Sequence, residues 1–225
     1  MAIIVSGHTK GGTGKSTIAT SMAAKVIQDG MTAMVIELDE TGTSSSWHAI
    51  REANGYQPSV PVVQQLKSYL PVILDLSRKY DALIVDVGAR DPESLSPLAK
   101  ICDLWVAPVG VGQPDLTPTI ALYDEFSSKH VQHKHGRIPL VMLFNKMPAA
   151  WNSAEELEAR EYLAEQCPDL VVLKSSLKER KAWRDAGRLG LGITEMSHRE
   201  GGKAAEEFTN FMLEAISYQS KIGAK

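Results

Sequence analysis

Lys10, Gly11, Gly12, Thr13, Gly14, Lys15, Ser16 and Thr17 form an unbroken run of the residue types that hold a polyphosphate. Glycines let the backbone curl until its N–H groups point inward at phosphate oxygens, and a helix starting at the end of the run adds the partial positive charge of its N-terminus. In such a loop Lys15 reaches the β- and γ-phosphates of ATP, the Ser16 hydroxyl coordinates Mg²⁺, and Thr17 supports the α-phosphate end. Context separates this run from a chance glycine cluster. Ala2 to Ser6 is a short apolar strand before it, and Ser16 to Asp29 carries helical spacing after it, with Ile18, Met22 and Val26 on one stripe and Gly30 as the stop. The strict loop pattern has glycine at position 9; this chain has Thr9 there and Lys10 before the double glycine.

Two acids fall where a phosphate loop needs them. Asp39 follows the apolar run Ala33 to Leu38, and Asp86 lies near the end of Leu83 to Val87. Both belong at the carboxyl edge of a sheet, where α/β proteins bind ligands. Asp86 is placed to hold Mg²⁺ through water.

The elements that must position these groups are legible as runs. Strands are expected at Ala2 to Ser6, Thr32 to Leu38, Ala82 to Val87, Leu104 to Val109, Leu140 to Phe144 and Leu170 to Leu173. The runs are continuous rather than alternating, so both faces of each strand are covered. Helical stretches separate them: Val62 to Tyr80 with a break at Pro71, Pro118 to Ser128, and Ala154 to Gln166 behind a capping box at Ser153 and Glu156. Lys178 to Ala186 and Lys203 to Ser220 read as further helices, the last with Phe208, Phe211, Met212, Ala215 and Ile216 as its apolar stripe. Thr41 to Tyr56 and Arg188 to Gly202 read as functional loops or a switch-like segment. The whole is an α/β fold: a doubly wound, mostly parallel sheet with helices on both faces, in one domain spanning residues 1–225.

Composition sets limits. With 225 residues and a formal charge of −3, the chain exerts no global pull on nucleic acid, so any such binding must be a local patch. Cys102 and Cys167 are too few and too far apart for a disulfide framework or a thiolate metal site, which fits a reducing cytosol. No stretch approaches the ~20 apolar residues of a membrane span, so a soluble, cytoplasmic protein is expected. The histidine run at His130, His133 and His135 reads as a solvated loop, and Trp47, Trp105, Trp151 and Trp183 as packing residues, with Trp47 near enough to Asp39 to meet a partner.

The form Lys-Gly-Gly-x-Gly-Lys-Ser/Thr around Lys10 and Lys15 resembles the ParA and MinD ATPases, a P-loop NTPase family with a deviant Walker A motif. The resemblance covers nearly the whole chain and is strongest to small, ParF-like plasmid-partition proteins. Val109 to Leu116 is similar to the family's Pro-Val-x-Pro-Ser-Pro-x-Asp stretch, and Ile193 to Ala205 to its segment before the last helix. The resemblance implies that Lys10 crosses a dimer interface to the partner's phosphates, so that hydrolysis depends on dimerisation. It implies that Asp39 orients the attacking water, although Glu37 stands for the family's first Asp of that segment and Glu40-Thr41 for its Pro-Gln. Asn145 and Lys146 become candidates to contact the base; Met147-Pro148 follows them rather than the Asp of a guanine site, so adenine is favoured. It further implies an ATP-dependent homodimer, non-specific DNA binding, nucleoid association and a centromere-binding partner protein. Lys174, Lys178, Lys181 and Arg184, with Arg180 and Arg188, are then the candidate DNA patch, the last three of the four aligned along one helix.

Two other readings share the nucleotide loop. A MinD-like membrane-positioning ATPase needs a basic amphipathic C-terminal helix, and Glu206, Glu207 and Glu214 oppose that, with Lys221 and Lys225 offering little compensation. A biosynthetic ligase needs an acceptor pocket, which no motif marks.

Overall fold

The computed structural model describes residues 1–128, 131–148 and 153–223. The chain runs β1 (Ala2–Ser6), α1 (Lys15–Gln28), β2 (Ala33–Glu37), α2 (Thr43–Ala53), β3 (Val62–Gln64), α3 (Tyr69–Leu76), β4 (Ala82–Asp86), α4 (Pro92–Ala99), β5 (Leu104–Val109), α5 (Gln113–Ser127), β6 (Leu140–Met147), α6 (Ser153–Gln166), β7 (Val171–Lys178), α7 (Lys181–Leu189) and, after a 3-10 turn at Ile193–Glu195, α8 (His198–Gly223). All strand pairings are parallel, in the order β3-β2-β4-β1-β5-β6-β7.

The continuous apolar runs have a direct structural cause. Alternate residues of a strand face opposite sides of the sheet, and here both sides meet a packed layer. In β4, Ile84 joins the cluster of Met22, Val35, Phe208 and Phe211, while its neighbours Leu83 and Val85 join that of Leu98, Leu122 and Phe126.

Several segments depart from expectation. Val62 to Gln64 is an edge strand beside β2, not the start of a helix, and Pro71 lies in the first turn of α3, where a missing N–H costs no helical bond. Thr41 to Tyr56 contains a full helix, α2. Gly42 at its N-cap offers no side-chain cap, so no local start signal marks it. Lys178 ends β7 rather than opening α7, and α5 starts five residues before Pro118. The segment Arg188 to Gly202 holds the end of α7, the 3-10 turn and the first residues of α8. The capping box at Ser153 and residues His130, Trp151 and Lys225 lie outside the described side chains.

Strand register sets the site. Glu37 of β2, Asp86 of β4 and Ser6 of β1 stand abreast at the carboxyl ends of three adjacent strands, at the edge where the phosphate-loop run leaves β1.

Candidate functional site

The loop from Gly7 to Gly14 is anchored on three sides. Gly7 lies so close to Trp105 that a Cβ would fall 2.5 Å from its ring, and the Trp105 indole N–H donates to the Gly7 carbonyl at 2.9 Å. The Ser6 hydroxyl donates to the Lys15 carbonyl at 2.9 Å. On the far side Asn145 Nδ2 donates to the Thr13 carbonyl at 2.7 Å and Lys146 Nζ to the Gly12 carbonyl at 2.6 Å. Gly12 and Gly14 have φ of 76° and 94°, and Gly14 presses against Asn145. These are conformations that favour glycine. Asn145 and Lys146 therefore hold the loop's shape, beside a cavity of about 350 Å³ that Gly14, Thr17, Lys178, Trp183 and Arg184 also line.

The charges converge. Lys15 is buried, and its Nζ donates to the Lys10 carbonyl at 2.7 Å. Burial pulls the Lys15 ammonium down, and Asp86 and Asp39 offset this. Burial pushes the Asp86 carboxyl up to about 6, while the hydroxyls of Ser44 and Ser16 pull it back, Glu37 raises it further and Lys15 lowers it. Asp86 Oδ2 accepts the Ser44 hydroxyl at 2.7 Å, whereas the buried Oδ1 has no hydrogen-bond partner; Ser16 acts on the carboxylate without closing one. A buried, acceptor-only oxygen without a donor is costly unless a cation or its water completes it, so the Ser16 and Asp86 pair fits Mg²⁺. Asp39 is half-buried, takes the Thr41 N–H at 3.0 Å, and crowds Gly88, where a Cβ would fall 2.8 Å from its carboxyl carbon.

Glu37 and His8, to which the sequence assigned no role, complete the frame. Glu37, fully buried, accepts the N–H groups of Ser44 at 2.8 Å and Ser45 at 3.0 Å and the Ser45 hydroxyl at 2.5 Å. It thereby caps α2 from another element, supplying what Gly42 lacks. His8, also buried, accepts the Lys10 N–H on Nδ1 at 3.0 Å and so donates from Nε2 to Thr119 Oγ1 at 2.8 Å, which passes its own proton to the Asp115 carbonyl at 3.0 Å. Lys10 itself lies on its own chain: Nζ is paired with Asp115 and donates to the Pro114 carbonyl at 3.2 Å. That carbonyl is available because its helical partner four residues on is Pro118, which has no N–H. The Ser44, Trp47, Arg51 spacing is the one signal that could have marked α2; nothing local marks Glu37 as its cap.

The expected basic patch is divided. Lys174 and Lys178 lie in β7, Lys181 and Arg184 on α7. Lys178 is 3.8 Å from Glu156, Lys181 3.0 Å from Asp185, Arg184 3.5 Å from Glu179 and Arg188 3.7 Å from Asp185, while Arg180 pairs with Glu207. Lys178 and Arg184 border the cavity beside the phosphate loop and Lys174 and Lys181 do not; Lys174, Lys181 and Arg184 are exposed and Lys178 is half-buried. On α8, Glu207 and Glu214 are tied inward, Glu214 accepting the N–H groups of Lys174 and Ser175. Ile216, expected in the buried stripe, is 49% exposed, while Phe208, Phe211, Met212 and Ala215 are buried. Trp47 packs inward, its N–H on the Leu191 carbonyl, and His133 is buried on the Cys102 carbonyl rather than solvated. Among the described residues no helix is long and apolar enough to cross a membrane.

A parallel seven-stranded sheet with a glycine-rich phosphate loop between β1 and α1 and a buried aspartate at the end of β4 defines a P-loop nucleotide-binding protein. Residues 3–193 match the family model described as "CobQ/CobB/MinD/ParA nucleotide binding domain", and the chain belongs to that family. Solved structures agree on the fold. The chain is similar to a Cyanothece McdA variant in complex with ATP (14% identity, 96% of each chain covered, TM-score 0.72). It is also similar to the Pyrococcus furiosus cell division ATPase MinD (17% identity, 95% of this chain and 97% of that one, TM-score 0.68). A third likeness is a putative plasmid partition protein from Borrelia burgdorferi B31 bound to AMPPNP (12% identity, 94% and 98%, TM-score 0.65). No curated protein matches the sequence.

Proposed function

We propose that this chain acts as one ATPase domain over residues 1–225, a partition-type switch that dimerises with MgATP, binds DNA without sequence preference, and is reset by hydrolysis during plasmid or chromosome segregation. The observation that carries the reading is Lys10. It directly precedes the phosphate loop and rests on Asp115 through a partly exposed pair, a contact weak enough to be exchanged for a phosphate of a facing subunit. Gly11 to Thr17 cradle the phosphates and Lys15 supplies the charge on the β- and γ-oxygens. Ser16 and, through water, Asp86 would hold Mg²⁺, which neutralises charge as the γ-phosphoryl leaves. Asp39, beside Gly88 and within electrostatic reach of Lys15, orients the attacking water. Asn145 and Lys146 shape the loop and wall the base cavity, with Lys178 and Arg184 opposite. Lys174 and Lys181 are the first candidates for DNA phosphates, and a centromere-bound protein is the expected stimulator. A ParF-like role and a nucleoid-associated, cytoplasmic location follow from the same reading.

The test is duplex-DNA binding by the purified protein with ATP, with ADP and with neither, at two salt concentrations, since phosphate contacts weaken steeply with salt. Binding confined to ATP is expected. Nucleotide-independent binding would leave a basic surface without the switch, and ATP-dependent pelleting with liposomes in place of DNA would transfer the reading to membrane positioning.

A further inference from the structure

Among the described residues Ser44 alone is hydrogen-bonded to both buried acids of the site, through its backbone to one and its side chain to the other. Its N–H donates to Glu37 Oε1 at 2.8 Å, its hydroxyl to Asp86 Oδ2 at 2.7 Å, and the residue is wholly buried. Glu37 and Asp86 face each other across β2 and β4, so Ser44 bridges two carboxylates on neighbouring strands. The bridge is stiff because Glu37 is pinned on its other oxygen by the N–H and hydroxyl of Ser45. A serine hydroxyl has a single proton to give. Given to Oδ2, it fixes the rotation of the Asp86 carboxylate and leaves Oδ1 as the oxygen without a donor.

We infer that Ser44 is a positioning residue for the metal site, holding Asp86 so that Oδ1 faces the Mg²⁺-bound water and coupling that site to the first turn of α2. This rests on the MgATP reading above. Partners that orient a metal-site carboxylate without touching the metal commonly account for a factor of about 10 to 100 in affinity.

The test separates this role from mere packing. Ser44→Ala removes the hydroxyl but keeps the backbone N–H on Glu37, so α2 remains capped. Ser45→Ala removes a hydroxyl one residue away that bonds Glu37 and not Asp86. Binding of a fluorescent ATP analogue is followed first in EDTA and then as Mg²⁺ is titrated in. For Ser44→Ala the Mg²⁺ midpoint should rise about 10-fold with the EDTA affinity unchanged, and Ser45→Ala should match wild type in both. An unshifted midpoint for Ser44→Ala overturns the inference. So does an equal shift for the two variants, or a loss of Ser44→Ala affinity in EDTA, since either denotes general loosening. A wild-type protein that binds no analogue under any condition would instead sink the nucleotide reading, and the inference with it.

Discussion

Lys10 and Asp115 form an ion pair within one chain, and Pro118 provides the second half of the hold by leaving the Pro114 carbonyl free for the same ammonium. With side chains 35% and 25% exposed, the pair is worth at most roughly 1 kcal/mol. Each subunit of a dimer must release its own pair, so Asp115→Asn should tighten ATP-dependent self-association by no more than about five-fold per pair, about 30-fold per dimer, at low salt, with the gain fading as salt screens the pair. Lys10→Ala should leave ATP binding by single chains intact and abolish the dimer. Sedimentation velocity with and without ATP reads both, and an Asp115→Asn protein that associates less well than wild type would contradict the parked-lysine account.

Lys15 and Asp39 should separate binding from turnover. Lys15→Ala deletes a charge-assisted contact of about 3 kcal/mol, so ATP affinity should fall on the order of 100-fold. Asp39→Ala should bind ATP as wild type does and accumulate the ATP-bound dimer. Phosphate release at the wild-type rate by Asp39→Ala would remove that residue from the hydrolytic step.

Gly14 tolerates no side chain. At φ 94°, with a Cβ that would fall 2.4 Å from Asn145 Nδ2, Gly14→Ala must displace Asn145 and strain the backbone at about 1–3 kcal/mol. Urea midpoints should fall accordingly and the nucleotide should no longer bind. Retention of ATP affinity would show that Asn145 does not set the shape of the loop.

Arg51 and Glu195 form a bidentate pair at 2.7 and 2.8 Å, with side chains only 1% and 10% exposed, and Arg51 also donates to the carbonyls of Pro58 and Gly190. Arg51→Ala strands a buried carboxylate and should cost about 3–5 kcal/mol in chemical denaturation. The pair Arg51→Met with Glu195→Leu, which removes both charges, should cost clearly less. Equal losses would mean that packing, not the unpaired charge, dominates.

His8 gives the loop a pH signature. Burial, with Lys15 beside it, lowers its pKa to about 4, against an opposing pull from Asp115 and with a further lowering by Lys10. Its folded value lies below the unfolded 6.5, so as pH falls from about 6.5 to 4 the unfolded chain takes up a proton that the native state refuses. Stability should drop over that window by roughly 3 kcal/mol from this group. His8→Gln retains a donor and an acceptor but does not titrate. The stability difference between variant and wild type should therefore shift in favour of the variant as pH falls; a difference independent of pH would show that His8 titrates normally.

Much of this was legible in the residues. The loop from Lys10 to Thr17, the strand that runs up to Asp39 and the strand that ends in Asp86 are local signals, and continuous apolar runs such as Leu104 to Val109 announce a sheet covered on both faces. What escaped was non-local. Helix α2 starts at a glycine and takes its cap from Glu37 across a turn, so no motif records it. Val62 to Gln64 is a strand because β2 offers an edge to pair with, and Lys178 belongs to β7 for the same kind of reason. The basic residues were visible as a group, and the pairs of Lys181 and Arg188 with Asp185 follow from spacing within α7, but those of Lys178 with Glu156 and Arg180 with Glu207 depend on α6 and α8 lying beside them.

Helix α2 is fastened at both ends. Its first turn is bonded to Glu37 and Asp86, while Trp47, Arg51 and Asn54 hold the carbonyls of Leu191, Gly190 and Leu189 at the end of α7. Gly190, where a Cβ would fall 2.4 Å from the Arg51 amide nitrogen, leaves no slack at that joint. The helix is therefore a strut that ties the acids of the phosphate site to the end of α7, the helix that carries Lys181 and Arg184.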